Sequence, residues 1–188
     1  MIDIGNWTIC SDNNSPMTPI VLEGEFDKEE LGRIETLLTD VKLTEFNNDD
    51  MSFKSCWINY TNDTAWLYGR IAKIFEYANN AYKFTDLLMI EKIAYFEFTE
   101  NNWHDWHADL EAGIPFSSRR LGATINLSGS DDYRGGNLEF MTSNKPYSVS
   151  RVIGTSVVSP SYLLRRIEPT TSGKKRILIA WINSPNPV

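Results

Sequence analysis

The chain has 188 residues, a length that suits one compact domain with its own hydrophobic core. Hydrophobic residues make up 41% and charged residues 23%, as in an ordinary globular protein. The formal net charge of −7 argues against nucleic acid as a partner, because nucleic-acid-binding surfaces are usually basic. Basic residues cluster at positions 165–166 and 174–176, and so small a cluster suits one anionic ligand better than a polymer.

No apolar run approaches membrane-spanning length, so no membrane partner is expected. The first ten residues, MIDIGNWTIC, lack a basic region followed by an apolar stretch, which predicts no signal peptide and a cytoplasmic location. Cys10 and Cys56 are then expected to be reduced thiols in a buried or half-buried setting.

Two amphipathic helices are predicted in the first half of the chain. Residues 27–40 carry apolar side chains at helical spacing, with Asp27 as the N-cap. Residues 64–81 show the same spacing, and Asn62 or Asp63 is the expected cap. The polar residues between the helices, at 47–50, predict a loop.

Short strands separated by turn residues are predicted for the second half. They cover residues 87–90, 93–98, 121–127, 137–141, 155–158, 163–167 and 176–182. Such a run of strands indicates a β-sandwich or barrel, and two N-terminal helices on one face would complete an α+β fold. One domain over residues 1–188 is expected, with its barrel core at 85–184.

The two histidines lie in one segment, WHDWHAD, at His104 and His107. In a strand, residues two apart project to the same side, so His107 and Asp109 could bind one ion. Two such ligands plus a distant histidine form the facial triad of non-haem Fe(II) oxygenases. Taken alone, His-x-Asp is a weak signal.

Downstream segments make the signal specific. They read RRLGATINLS from Arg119, DDYRGGNLEF from Asp131, GTSVVSPSYLLRRIEP from Gly154, TSGKK from Thr171 and AW at 180–181. This ordered set resembles the prolyl 4-hydroxylase-like oxygenases, in particular the bacterial and phage branch of PKHD-type hydroxylases. The resemblance spans residues 50–184, while residues 1–45 match less clearly. It implies a double-stranded β-helix, a jelly-roll or cupin-like barrel.

The resemblance also implies Fe(II) and 2-oxoglutarate as cofactors. His107 and Asp109 match the first two iron ligands. The third ligand would be a histidine at the position that Arg165 holds here, which puts iron binding in doubt. Arginine stays protonated and offers only donors, so it is not a practical ligand.

A basic residue in this family pairs with the distal carboxylate of 2-oxoglutarate, and Lys175 falls at its position. The physical reason agrees, because a buried carboxylate needs a cation. Arg176 is the substitute if the register slips by one. Tyr95 is grouped with these cofactor-binding residues, although aromatic residues such as Tyr95 and its neighbours more often form barrel core than line a peptide groove. Arg119 and Arg120 are expected to be solvated.

Three interpretations of the Arg165 position stay open. In the first, the Arg165 guanidinium bridges to Asp109 and iron is lost. In the second, iron binds weakly through His107, Asp109, 2-oxoglutarate and water. In the third, His104 supplies the third nitrogen, which requires a β-bulge, because a regular strand would point His104 away from His107.

Two functions follow from these interpretations. One is an active 2-oxoglutarate-dependent dioxygenase that acts on a peptidyl proline or a similar side chain. The other is a pseudoenzyme, a non-catalytic binding or structural module such as a phage virion or assembly component. Both imply a protein or peptide partner, and neither fixes the substrate or the oligomeric state.

Overall fold

The computed structural model describes residues 18–113 and 116–185, and within them two α-helices precede most of the β-structure. Helix α1 (Lys28–Leu38) begins at a capping box. The Asp27 carboxylate accepts a hydrogen bond from the Glu30 amide at 2.8 Å, and the Glu30 carboxylate accepts one from the Asp27 amide at 3.1 Å. The predicted cap at Asp27 is therefore confirmed. Cys10 lies outside the described residues, and Cys56 is a free, half-buried thiol.

Helix α2 (Ala65–Tyr82) has Thr64 at its N-cap position, and not Asn62 or Asp63 as predicted. The Thr64 hydroxyl does not cap the helix but donates to the Asn59 carbonyl oxygen at 2.7 Å, which shapes the preceding turn. At the other end, Lys83 adopts a left-handed conformation with φ 62°, and this ends the helix.

Fourteen strands are present among the described residues, mostly in the second half of the chain. In order they are β1 (Ile20–Leu22), β2 (Thr44–Asn47), β3 (Met51–Ile58), β4 (Met89–Ile90), β5 (Ile93–Phe98), β6 (Trp103–His107), β7 (Arg119–Asn126), β8 (Tyr133–Gly135), β9 (Leu138–Met141), β10 (Pro146–Ser148), β11 (Ser156–Pro160), β12 (Arg165–Ile167), β13 (Thr170–Gly173) and β14 (Lys175–Asn183). A short 3-10 helix, Phe116–Ser118, precedes β7. Strands β2 and β3 form a hairpin that the sequence did not indicate, and only its tip corresponds to the predicted polar loop.

The strands form one curled antiparallel sheet in the order β1-β11-β7-β14-β5-β3-β6-β12-β9-β10, with β2 and β4 beside β3 and β14. Strands β8 and β13 pair separately. One face of the sheet packs against both helices and buries Leu67, Ile71 and Phe75 of α2. The opposite face lines the barrel interior with Phe98, Phe140 and Leu163. This is the predicted α+β barrel with helices on one face.

Alternation along β14 decides which side chains enter the barrel. Ile177, Ile179 and Trp181 belong to the interior core, whereas Leu178 and Ala180 pack toward the helices. Lys175 lies two residues before Ile177 and therefore faces the barrel interior, whereas the adjacent Arg176 faces the helices. No helix among the described residues is long and apolar enough to cross a membrane.

Candidate functional site

A β-bulge in β6 places both histidines on the same side of the strand. His107 pairs with Arg165 of β12 and His104 pairs with Ile167, so β6 has one more residue than β12 over this stretch. The two imidazole rings stack, with centroids 3.7 Å apart and planes inclined by 13°. The alternation expected of a regular strand is therefore broken here.

Asp109 lies just beyond the end of β6, buried at 6% exposure. The Arg119 guanidinium lies 3.4 Å from its carbonyl oxygen and holds this segment against the start of β7. The Asp109 carboxylate approaches the backbone of β7 at Gly122, where an added Cβ would lie only 2.9 Å from Asp109 Oδ2. The close approach depends on the absence of a side chain at Gly122.

Arg165 contacts Asp109 directly. Its Nη2 donates to Asp109 Oδ1 at 2.8 Å, and its Nη1 donates to the Thr124 hydroxyl of β7 at 3.0 Å. Arg165 is only 4% exposed, so this ion pair is buried on both sides. The contact expected in the first interpretation of Arg165 is present.

His107 presents an unshared lone pair to the same carboxylate. Its Nδ1 lies 2.7 Å from the Asp105 carbonyl oxygen, which can only accept, so Nδ1 carries the proton. The Nε2 atom is then unprotonated, and it is buried 3.8 Å from Asp109 Oδ1 without a hydrogen-bond partner among the described residues. This is the tautomer that a metal ligand requires.

Burial and the positive charge of Arg165 set the protonation of this site. Burial lowers the pKa of His107, and Arg165 lowers it further. The pKa of His104 falls to about 3, first because of burial and then because His107 and Arg165 lie nearby. Burial alone would raise the pKa of Asp109, but the Arg165 guanidinium holds it below its ordinary value. At neutral pH the site holds two neutral imidazoles and one ion pair.

These residues do not fit a facial triad for Fe(II). No three histidine, cysteine, aspartate or glutamate side chains in residues 18–113 and 116–185 lie close enough together to hold a metal ion. His104 does not complete the set, because stacked rings direct their in-plane lone pairs side by side and not toward one point. Arg165, which contacts Asp109 here, carries a guanidinium that can only donate hydrogen bonds.

A second polar cluster surrounds Lys175 inside the barrel. Lys175 is 3% exposed, and its Nζ lies 3.1 Å from the hydroxyl of Tyr133. Burial first, and then the charge of Arg151, lowers the pKa of Lys175 to about 7. No carboxylate among the described residues forms an ion pair with Lys175, so its charge is uncompensated. The cluster suits an anionic ligand.

Arg151 belongs to this cluster and was not predicted. Its guanidinium carbon lies 3.9 Å from the centre of the Tyr133 ring, and its Nη2 donates to the Tyr133 carbonyl oxygen at 2.6 Å. It lines a pocket together with Lys175, Thr124 and Thr155. Nothing in the local sequence around Arg151 marks it, because it lies in the connection between β10 and β11.

Two residues grouped with the cofactor site lie elsewhere. Arg176 faces the helices and donates to Glu35 of α1 at 2.7 Å, so the register slip that would have replaced Lys175 does not occur. Tyr95 pairs with Leu178 on the same helix-facing side, and its hydroxyl donates to Glu97 at 3.3 Å. Strand alternation thus separates both residues from Lys175.

Arg119 also differs from the prediction, because it is buried and not solvated. Its guanidinium forms an ion pair with Glu91 at 2.7 Å and lies 3.9 Å from the Trp181 ring. The Glu91 partner is distant in sequence, and for this reason the burial of Arg119 was not visible from its own segment. Arg119 supports the Asp109 segment through these contacts.

Comparison with known proteins identifies the fold. No protein-family model matches the chain. A PKHD-type hydroxylase from Hyphomonas neptunium is 41% identical over 64 residues, which cover 34% of this chain and 29% of that relative. The chain thus matches less than a third of the length of this relative.

Solved structures match over much more of the chain. A prolyl-4-hydroxylase from Pseudomonas putida matches with a TM-score of 0.73 at 13% sequence identity. The match covers 89% of this chain and 93% of the Pseudomonas putida chain. A Trichoplax adhaerens prolyl hydroxylase in complex with a hypoxia inducible factor peptide fragment gives 0.72 at 12% identity, covering 89% and 84%. A viral collagen prolyl hydroxylase from Paramecium Bursaria Chlorella virus-1, in its 2-oxoglutarate complex, gives 0.67 at 16%, covering 88% and 96%. The chain therefore has the fold of the 2-oxoglutarate- and Fe(II)-dependent oxygenases, and part of its sequence is similar to PKHD-type hydroxylases.

Proposed function

We propose that this chain is an oxygenase-fold protein whose hydroxylase activity is impaired or lost, because Arg165 stands in the place of the third metal ligand. The observation that carries the proposal is the buried hydrogen bond of 2.8 Å between Arg165 Nη2 and Asp109 Oδ1. The guanidinium occupies the carboxylate oxygen that faces His107 Nε2, so the same oxygen is not free for a metal ion.

Electrostatics adds to this steric argument. Two unit charges roughly 4 Å apart repel by about 4 kcal/mol at an effective dielectric constant near 20, and a divalent cation beside Arg165 would feel twice that. Binding would also break the Arg165–Asp109 pair and leave a guanidinium buried without a partner. Both effects weaken iron binding at His107 and Asp109.

The pocket lined by Lys175, Arg151, Thr124 and Thr155, called the anion pocket below, is a separate part of the proposal. Lys175 is buried, and no carboxylate among the described residues pairs with it, which favours retention of 2-oxoglutarate or a similar acid through its distal carboxylate. The histidine tautomer and the pocket together resemble an oxygenase site that lacks one ligand. Fe(II), where it binds in related enzymes, supplies the oxygen chemistry that this donor set does not support.

The test is to restore the ligand. In an Arg165→His variant we expect iron content to rise from trace to near-stoichiometric, with 2-oxoglutarate turnover to succinate in the presence of ascorbate. The matched control is Arg166→His, since Arg166 is the next residue along β12 but its side chain turns outward to Glu139 and Glu168. Metal analysis and succinate assays on both variants give the comparison.

Near-stoichiometric iron in the unaltered protein, lost on His107→Ala, would contradict the proposal. The Arg166→His control should behave like the unaltered protein. If both histidine variants gain iron equally, the gain would reflect an extra surface ligand and the role assigned to Arg165 would be wrong.

A second function, peptide binding without catalysis, is favoured by the exposed aromatic residue beside this site. Trp57 of β3 is 55% exposed, and its ring lies 6.5 Å from that of Trp181, which borders Gly122 and Asp109. Aromatic surface of this kind is typical of peptide recognition. Binding of a prolyl peptide that is weakened by Trp57→Ala, without 2-oxoglutarate turnover, would identify this function.

A further inference from the structure

We propose that Arg151 is a second binding residue of the anion pocket, and that Arg151 and Lys175 together hold one carboxylate of a small aliphatic acid. This inference rests on the proposed function, which places the distal carboxylate of 2-oxoglutarate beside Lys175. It adds a residue to the pocket and defines the chemistry that the pocket selects.

Tyr133 of β8 organises both cations. Its hydroxyl lies 3.1 Å from Lys175 Nζ, and its ring centre lies 4.8 Å from the same atom. Its carbonyl oxygen accepts from Arg151 Nη2 at 2.6 Å, while the guanidinium carbon lies 3.9 Å from the ring centre. Because Tyr133 is only 1% exposed, both cations are fixed against a buried ring.

The side chains of the pocket have charge and hydrogen-bonding capacity that no described residue uses. Neither Arg151 nor Lys175 forms an ion pair within the part of the chain that the structure describes. Arg151 Nε and Thr155 Oγ1 are buried there without hydrogen-bond partners. Two cations and a free hydroxyl left in this state are costly, and an anion would satisfy them together.

The walls of the pocket point to a carboxylate on a short carbon chain. Leu138, Val149, Val157 and Ile177 line it beside the polar groups. A carboxylate matches the fork of a guanidinium and can also accept from Lys175 and Thr155, while the apolar walls suit methylene groups. A bare inorganic anion would gain nothing from those walls.

Binding of such an acid should be coupled to protonation. The titratable groups that face Lys175 are Tyr133 from β8 and Arg151 from the connection before β11, and the other lining side chains from β7, β9 and β11 are uncharged. Without a ligand, burial and Arg151 lower the pKa of Lys175 to about 7. A bound carboxylate favours the charged lysine, so affinity should fall as the pH rises above this value.

The experiment is calorimetric titration with glutarate in the presence of a chelator. Glutarate has the terminal carboxylate and the carbon chain but no keto acid, so its binding does not depend on metal. We expect Arg151→Gln to weaken glutarate binding at pH 6 by about tenfold or more. The decline with pH should also begin at a higher pH in this variant, because a charge that lowers the pKa of Lys175 has been removed.

Arg134→Gln is the matched control, since Arg134 is exposed on β8 next to Tyr133 and should leave glutarate binding unchanged. Equal glutarate affinity in the unaltered protein and in Arg151→Gln would overturn the inference. So would an unaltered protein that binds no glutarate at pH 6, or one that binds inorganic phosphate more tightly than glutarate. Because no arm contains iron, these results are independent of the Arg165→His outcome.

Discussion

Lys175 has a buried amine that pairs with no carboxylate among the described residues, and it should shape how the stability of the ligand-free chain depends on pH. Burial and the nearby Arg151 lower its pKa to about 7 from an ordinary value of 10.5. Because the folded-state pKa is the lower one, the unfolded chain binds more protons between these values, and stability rises as the pH increases from 7. The slope approaches about 1.4 kcal/mol for each pH unit.

Lys175→Met should remove this rise. Between pH 7 and pH 9 we expect the unfolding free energy of the unaltered protein to gain about 2 kcal/mol relative to the variant, as measured by urea denaturation. Lys174→Met is the control, because Lys174 has a half-exposed side chain paired with Glu97. An equal pH response in the unaltered protein and the Lys175 variant would show that Lys175 is charged in the folded state.

At this scale the sequence indicated part of the candidate site. The spacing of His107 and Asp109 and the resemblance around Lys175 selected three residues that the structure places in the barrel. Arg151 was missed because its role depends on Tyr133, a residue from a different strand. Tyr95 and Arg176 were misplaced because alternation along a strand fixes only that neighbours face opposite sides, and not which side is inside.

Among the elements, strand β7 carries a steric requirement at Gly122. A Cβ at this position would lie 2.9 Å from Asp109 Oδ2 and 3.5 Å from Trp181 Cδ1. Gly122→Ala should therefore displace the carboxylate and destabilise the chain by about 1–3 kcal/mol, measured as a change in unfolding free energy. Loss of the Arg165 contact would be visible as a shift of the Asp109 side chain in a crystal structure.

Gly32→Ala provides the comparison for this prediction. Gly32 lies within α1, where an added Cβ meets nothing within 4 Å, so the substitution should be neutral or stabilising by up to about 1 kcal/mol. Equal effects at the two positions would contradict the steric role of Gly122.

Elements defined by local signals were predicted well. The capping box and apolar spacing of α1 are contained within a few residues, and the helix was found with its correct N-cap. The β2–β3 hairpin was missed because β2 is exposed along its length and carries no alternating apolar pattern. The bulge in β6 could not be predicted, since it exists only relative to the register of β12.

For the molecule as a whole, the Arg165–Asp109 pair links β12 to the segment after β6, and Thr124 extends the link to β7. Asp109→Asn would leave the guanidinium buried without its counter-charge. We expect a loss of about 3–5 kcal/mol in unfolding free energy at pH 7, measured by urea denaturation. The loss should shrink in acid, because the pKa of Asp109 lies below its ordinary value and its contribution disappears as the pH falls through it.

The double variant Asp109→Leu with Arg165→Met separates pairing from packing. If the attraction between Arg165 and Asp109 offsets the cost of burying both charges, the double variant should be much less destabilised than Asp109→Asn alone. Additive losses from the two sites would show that the two residues do not act as a pair.

The whole barrel could be anticipated only through the resemblance of ordered segments. Hydrophobic spacing indicated strands but not their partners, and β14 lies between β7 and β5, which precede it by long stretches of chain. Pairing over such separations depends on tertiary packing, which no local window of sequence contains. The order of the motifs, through the resemblance to known oxygenases, indicated the barrel arrangement that hydrophobic periodicity alone did not.

The Thr124 hydroxyl joins the two halves of the candidate site. It accepts the hydrogen bond of Arg165 on one side and lines the pocket of Lys175 on the other. A pocket ligand that engages this hydroxyl changes the free energy of the Arg165 contact, and by thermodynamic reciprocity a change at Arg165 alters ligand affinity by the same factor. A histidine introduced at position 165 should therefore also change the affinity of the Lys175 pocket for its ligand, so substitutions at the two places have to be optimised together.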